Sequence, residues 1–188
     1  KQFNGLMKLG VNLLSNLKME LQMRASTDDK DYLHSSLSPY QYAYNTSRAI
    51  PCYNEDGTLA YYNKTQGYEF PLQYNVVNEM QHTGMNIEGT TLNFNANLLW
   101  EIIPGLRLTG ALSYNRSNTD QKEWFDEQSY AAAQLRNYNY GLELPDSDIW
   151  REQQCKLPYG GELVNTDTRN TSYTARAQVD YSFQFLED

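Results

Sequence analysis

Five separate stretches of this chain set apolar side chains at every second position with polar ones between them. A period of two is what an extended strand converts into one oily and one wet face. Tyr173, Ala175, Ala177, Val179, Tyr181, Phe183 and Phe185 share one register, and Thr174, Arg176, Gln178, Asp180, Ser182 and Gln184 the other. Leu17, Met19, Leu21, Met23 and Ala25 alternate with Lys18, Glu20, Gln22 and Arg24. The same reading holds for Met7 to Leu13, Leu92 to Trp100, and Leu108 to Tyr114. None of the five oily registers contains Asp, Glu, Lys, Arg or His. The pattern predicts an all-β chain of antiparallel strands near 6–14, 17–26, 87–102, 106–116 and 172–185.

Such a sheet has two physical settings, a soluble sandwich with its oily face against another layer, or a transmembrane barrel with that face against lipid. Length and connections separate them. A tilted strand needs about 9–11 residues to cross hydrocarbon, against about 5–6 in ordinary soluble strands. The connections alternate strictly between short, at Leu14-Ser15-Asn16 and Ile103-Pro104-Gly105, and long, near 27–86 and 117–171. Compact soluble domains rarely carry connections above about 12–15 residues, whereas outer-membrane barrels combine short periplasmic turns with long external loops. With the short turns periplasmic, Trp100, Phe183 and Phe185 fall near the inner interface and Tyr114 and Tyr173 near the outer one, which predicts two aromatic girdles. The expected fold is a section of transmembrane β-barrel wall with two long external loops containing short helices.

The charge of −8 and the absence of a basic stripe argue against a nucleic-acid partner. No apolar run is long enough for a membrane-spanning helix, and no stretch has the form of a signal peptide. The chain opens at Lys1, near a predicted strand, and stops at Leu186-Glu187-Asp188 where a short turn is due, so it reads as a section of a longer polypeptide.

The run Leu157-Pro158-Tyr159-Gly160-Gly161-Glu162-Leu163 followed by Ser172 to Phe183 resembles the barrel region of SusC/RagA-type TonB-linked outer-membrane transporters. So does Leu92 to Ile102 with its turn Ile103-Pro104-Gly105-Leu106, and Tyr74-Asn75-Val76-Val77-Asn78-Glu79 is similar to the family's approach to that strand. The resemblance covers about 50–188 and rests on the order and spacing of these stretches. It implies a parent importer of glycans or peptides in the bacterial outer membrane, embedded in lipid, with a plug that contacts TonB through an N-terminal region missing here and a SusD-like lipoprotein as lid. With no plug domain in 1–188, the chain supplies wall and loops only. The alternative is a soluble all-β carbohydrate-binding or adhesion module with tyrosine-rich loops.

Nothing in the sequence points to catalysis. His34 and His82 lack metal-ligand spacing and read as solvated loop residues. No nucleophile elbow occurs, and Gly160-Gly161 lacks the lysine of a phosphate loop. No resident cofactor is expected. Acidic clusters at Asp28, Asp29 and Asp31, at Asp120, Glu123, Asp126 and Glu127, and at Glu143, Asp146 and Asp148 leave calcium as an open alternative to plain solvated loops. Aromatics crowd both long loops, Tyr68 among them. Such rings serve as sugar-stacking platforms or as small cores that order the loops. Tyr61, Tyr62, Trp124, Tyr138, Tyr140 and Trp150 are the candidates for solute contact. Cys52 and Cys155 fall one in each loop, on the side where a disulfide is chemically permitted. Within the loops, Ser38-Pro39 predicts a helix start at Tyr40, Asp56-Gly57 a tight hairpin, and Ser129 a helix cap.

Overall fold

A computed structural model describes the backbone of residues 1–64 and 71–183, with the side chains of all of these except 148–151. Tyr68 and Phe185 therefore lie outside the described residues, as does the end at Leu186-Glu187-Asp188, and Trp150 outside the described side chains. The fold is mostly antiparallel β-sheet with a few short helices. In chain order the elements are β1 (Gln2–Leu14), β2 (Leu17–Tyr32), α1 (Pro39–Asn45), β3 (Tyr62–Asn63), β4 (Gln73–Tyr74), α2 (Val76–His82), β5 (Thr83–Ile103), β6 (Leu106–Phe125), α3 (Tyr130–Arg136), α4 (Ile149–Gln154) and β7 (Glu162–Tyr181), with one 3-10 turn at Asp146–Asp148. Five strands form one open sheet, ordered β1-β2-β5-β6-β7, and β3 pairs with β4.

The alternation explains the pairing. Across β1 and β2, Met7 stands opposite Met23, Leu9 opposite Leu21 and Val11 opposite Met19, while Lys8 meets Gln22, Gly10 meets Glu20 and Asn12 meets Lys18. A slip of one residue would put every apolar side chain against a polar one, so the pattern locks the register. Ser113 Oγ donates to Asn95 Oδ1 at 2.8 Å between β6 and β5 in the polar register. Tyr114 and Tyr173 meet across β6 and β7 with ring centroids 5.1 Å apart. At the 104–105 turn Gly105 has φ +86°, and a Cβ there would collide with the Ser182 carbonyl oxygen. Glycine is thus required twice at one position, for its dihedral and for the close approach of β7.

The strands run further than their apolar alternation. β5 has 21 residues and β6 and β7 have 20 each, or roughly 65 Å at about 3.3 Å per residue. The connections are correspondingly shorter than expected, at 33–82 and 126–161. Beyond the apolar stretch the alternation lapses, with polar residues entering the apolar register, and the pairing is carried by backbone hydrogen bonds that leave no trace in side-chain periodicity.

The chain divides into two compact units. The first comprises Lys1–Lys30, Glu88–Asp120 and Asp167–Asp188. It consists of strands and their two short turns, and none of its described side chains is buried. Its apolar registers form a level band: Ala25 in β2, Leu92 in β5, Tyr114 in β6 and Tyr173 in β7 close it at one end. Just past that end, the same registers carry Asp29, Glu88, Arg116 and Arg169. Exposed apolar residues line the band, with Met7, Leu9, Leu112, Val179 and Phe183 each more than half exposed.

The second unit comprises Asp31–Ile87 and Gln121–Thr166. Every buried apolar residue of the described chain belongs to it: Leu72, Tyr74, Val76, Ala132, Ala133 and Tyr138.

Candidate functional site

The second unit is organised around Asn75. This residue is 2% exposed and uses both ends of its amide. Its Oδ1 accepts from Val77 N at 2.8 Å and Asn78 N at 3.2 Å, capping α2. Its Nδ2 donates to the carbonyls of Cys52 and Ala60 at 2.8 and 2.7 Å, holding the hairpin arms of 52–60 against the helix. That hairpin turns at Asp56-Gly57, where Asp56 Oδ1 accepts from Thr58 N at 2.9 Å and Gly57 takes φ +84°. The Thr58 hydrogen bonds hold the exposed Asp56 carboxyl below its ordinary range. Ser38 caps α1 by accepting from Gln41 N, and Ser129 caps α3 by accepting from Ala132 N.

One turn past Asn75, the buried carboxylate of Glu79 accepts from Tyr130 N at 2.8 Å and Asn78 Nδ2 at 3.2 Å, linking α2 to α3. Burial raises its carboxyl above the ordinary value, against the pull of these hydrogen bonds and of Lys64 and His82. Around it lies a tyrosine cluster, with Tyr74 against Tyr42, Tyr62 and Tyr130 at centroid distances of 5.9, 5.8 and 5.4 Å. Lys64 Nζ sits 3.8 Å above the Tyr74 ring. Burial, then the neighbouring Tyr42, pushes the Tyr62 hydroxyl up to about 12.

Two cavities open in this unit. One, of about 220 Å³, is lined by Tyr61, Gln73, Asn78, Gln128, Tyr130 and Tyr140 among others, with no charged group among the described residues of its wall. The Tyr61 hydroxyl donates to Asn78 Oδ1 at 3.0 Å, and Asn78 Nδ2 donates to the Gln128 carbonyl at 3.0 Å, so its floor is fixed by hydrogen bonds. The other, of about 270 Å³, is lined by Arg136, Tyr138, Tyr140, Glu127, Glu152 and Tyr159 among others.

The aromatic candidates therefore separate. Tyr61 lines the first cavity, Tyr138 the second, and Tyr140 both. Tyr62 belongs to the tyrosine cluster, where it orders the loop. Trp124 covers Gly84 of β5, where a Cβ would stand 2.9 Å from the indole ring, so it serves the sheet and lines neither cavity. The side chain of Trp150 is outside those described. The amide and charged members of both walls were not singled out in the sequence, because Asn, Gln and Glu are ordinary loop residues and nothing local marks those that converge.

One sequence expectation changes. His34 and His82 are not solvated: His82 Nδ1 lies 2.6 Å from Asp126 Oδ2, and His34 Nε2 lies 3.6 Å from Glu123 Oε1 with its ring edge-on to Phe125. Both were read as loop residues because their carboxylate partners are remote in sequence. Cys52 and Cys155 are not bridged; the Cys155 thiol donates to the Arg136 carbonyl at 2.5 Å, and burial raises its pKa. Among the described residues no three His, Cys, Asp or Glu side chains converge on a point fit for a metal. Asp28, Asp29 and Asp31 lie along β2, where successive side chains point to opposite faces, and Asp120 and Glu123 lie along β6.

His82 and Asp126 join the end of α2 to the approach of α3, where Ser129 Oγ also donates to the Asp126 carbonyl at 2.8 Å. The serine hydroxyl is committed to these bonds and to its cap. What the unit offers is binding surface: rings, amides and a small set of charges held in place by capped helices. No protein-family model matches the chain, and no curated protein matches it in sequence.

Proposed function

We propose that the chain is a wall and external-loop segment of a TonB-dependent importer in the bacterial outer membrane, of the SusC/RagA type, and that its role is non-catalytic. On this reading the apolar band meets lipid, the polar registers face the aqueous lumen, and the tyrosine-bearing loops contact an incoming glycan or peptide. Coupling to TonB and closure by a SusD-like lid belong to other parts of the assembly.

The observation that carries the reading is the first unit: a sheet with no buried side chain among those described and a level apolar band free of acidic and basic residues. An apolar face of this extent in water is an aggregation hazard, whereas a band about 25 Å tall on tilted strands matches the lipid-facing belt of a barrel. A soluble binding module would need a second layer over that face, and the residues of this unit supply none among those described.

Lipid exposure is tested with single-tryptophan variants reconstituted into vesicles whose acyl chains carry bromine. Trp100, at one end of the band, is expected to be quenched, and Trp124, in the second unit, to be spared. Equal quenching of both, or none of Trp100 in a chain that stays monomeric without detergent, would contradict the reading.

A further inference from the structure

The 270 Å³ cavity of the second unit carries charges of both signs that do not pair with one another. Arg136, in the last turn of α3, is 3% exposed. Its Nε donates to the Pro158 carbonyl at 3.0 Å and one Nη to the Glu127 carbonyl at 3.1 Å. Its guanidinium lies 5.6 and 5.9 Å from the ring centroids of Tyr138 and Tyr140. None of the ion pairs among the described residues includes it. Backbone carbonyls and ring faces offset part of the cost of burying a cation, yet the remaining donors of the planar fork are those that a carboxylate takes in bidentate fashion.

The two carboxylates in the same wall are engaged elsewhere. Glu152 Oε1 accepts the Tyr159 hydroxyl at 2.5 Å, and Glu127 Oε2 accepts Gly160 N at 3.4 Å. Each keeps an oxygen with acceptor capacity for a ligand ammonium. A purely anionic solute would be repelled by the pair of glutamates and a purely cationic one by the arginine. A solute with both charges satisfies all three. The volume is just under the range of about 300–1,000 Å³ that accommodates drug-sized ligands, so both charges must be close together on a small molecule.

We propose that this cavity binds a free α-amino acid, its carboxylate on Arg136, its ammonium between Glu127 and Glu152, and its side chain against Tyr138 and Tyr140. The inference stands on the second unit alone and is independent of the membrane reading: the site can fail while the apolar band still meets lipid, and the reverse.

The test is saturation-transfer NMR of the full chain with L-leucine, leucinamide and N-acetyl-leucine, each removing one charge from the same side chain. L-leucine is expected to receive transfer, and either blocked form to lose it by at least tenfold. Arg136→Lys, which keeps the charge and loses the fork, is expected to weaken L-leucine several-fold, and Glu152→Gln to weaken it while sparing leucinamide less than N-acetyl-leucine. The near-ultraviolet circular dichroism of the tyrosine cluster, read on each sample, reports that the unit is folded. No transfer to L-leucine, or equal transfer to the blocked forms, overturns the proposal.

Discussion

A single amide holds much of the loop unit together. Asn75 supplies the cap of α2 and two partly buried hydrogen bonds to carbonyls of the preceding hairpin, so its loss leaves orphaned groups at both ends. Asn75→Ala is expected to destabilise the second unit by about 2–3 kcal/mol, the sum of a lost cap and unsatisfied, partly buried carbonyls, read as lost hydrogen-exchange protection over 52–60 and 76–82 with the strands of the first unit unaffected. Glu79 gives a pH signature. Its folded carboxyl titrates above its ordinary value of 4.5 because it is desolvated. The folded state therefore holds more protons than the unfolded one from that value upward to the folded pKa, and stability falls as pH rises through this window. Glu79→Gln keeps an acceptor for Tyr130 N and removes the charge, so the variant is expected to flatten that pH dependence and to be the more stable of the two at neutral pH. An unchanged profile in thermal melts of the variant would contradict this.

At the level of elements, alternation carries predictions that local propensity does not. Ala96 lies in the apolar register of β5 and Asn97 in the polar one. On the membrane reading Ala96→Arg is expected to cost about 2–4 kcal/mol of folding in vesicles, and Asn97→Arg next to nothing, measured as denaturant midpoints of the reconstituted chain. Gly105→Ala is expected to disrupt the β5–β6 turn and its bond from Ser182 N to the Gly105 carbonyl, at 2.8 Å, visible as selective loss of amide protection at 182. The apolar parts of the strands were legible because one register there is oily, and their outer halves were not, since past Ala25, Leu92, Tyr114 and Tyr173 polar residues enter that register and the alternation lapses. The helices from 39 and 130 were legible through their Ser caps. The helix from 76 was not, because Val76 and Val77 are β-branched and favour strand; the Asn75 cap and burial of Val76 outweigh that preference. The pairing of His82 with Asp126 and the meeting of Arg136 with Glu127 and Glu152 at one cavity join residues from separate segments, and no local pattern announces such convergence.

For the whole molecule, burial sorts the chain into two kinds of structure. The second unit has its own core, capped helices and cavities, as a loop assembly needs in order to offset its ordering entropy. The first has no buried side chain among those described, which for a water-facing protein would leave a broad apolar band uncovered. On the proposed function this band faces lipid in a large barrel. The most direct test is fractionation of source cells followed by immunoblotting with antibody to this chain, comparing heated with unheated samples. A band in the outer membrane is expected, far larger than 21.8 kDa and shifting in mobility on heating, as a folded barrel does when it unfolds. A small band in the soluble or secreted fraction whose mobility heating leaves unchanged would contradict it.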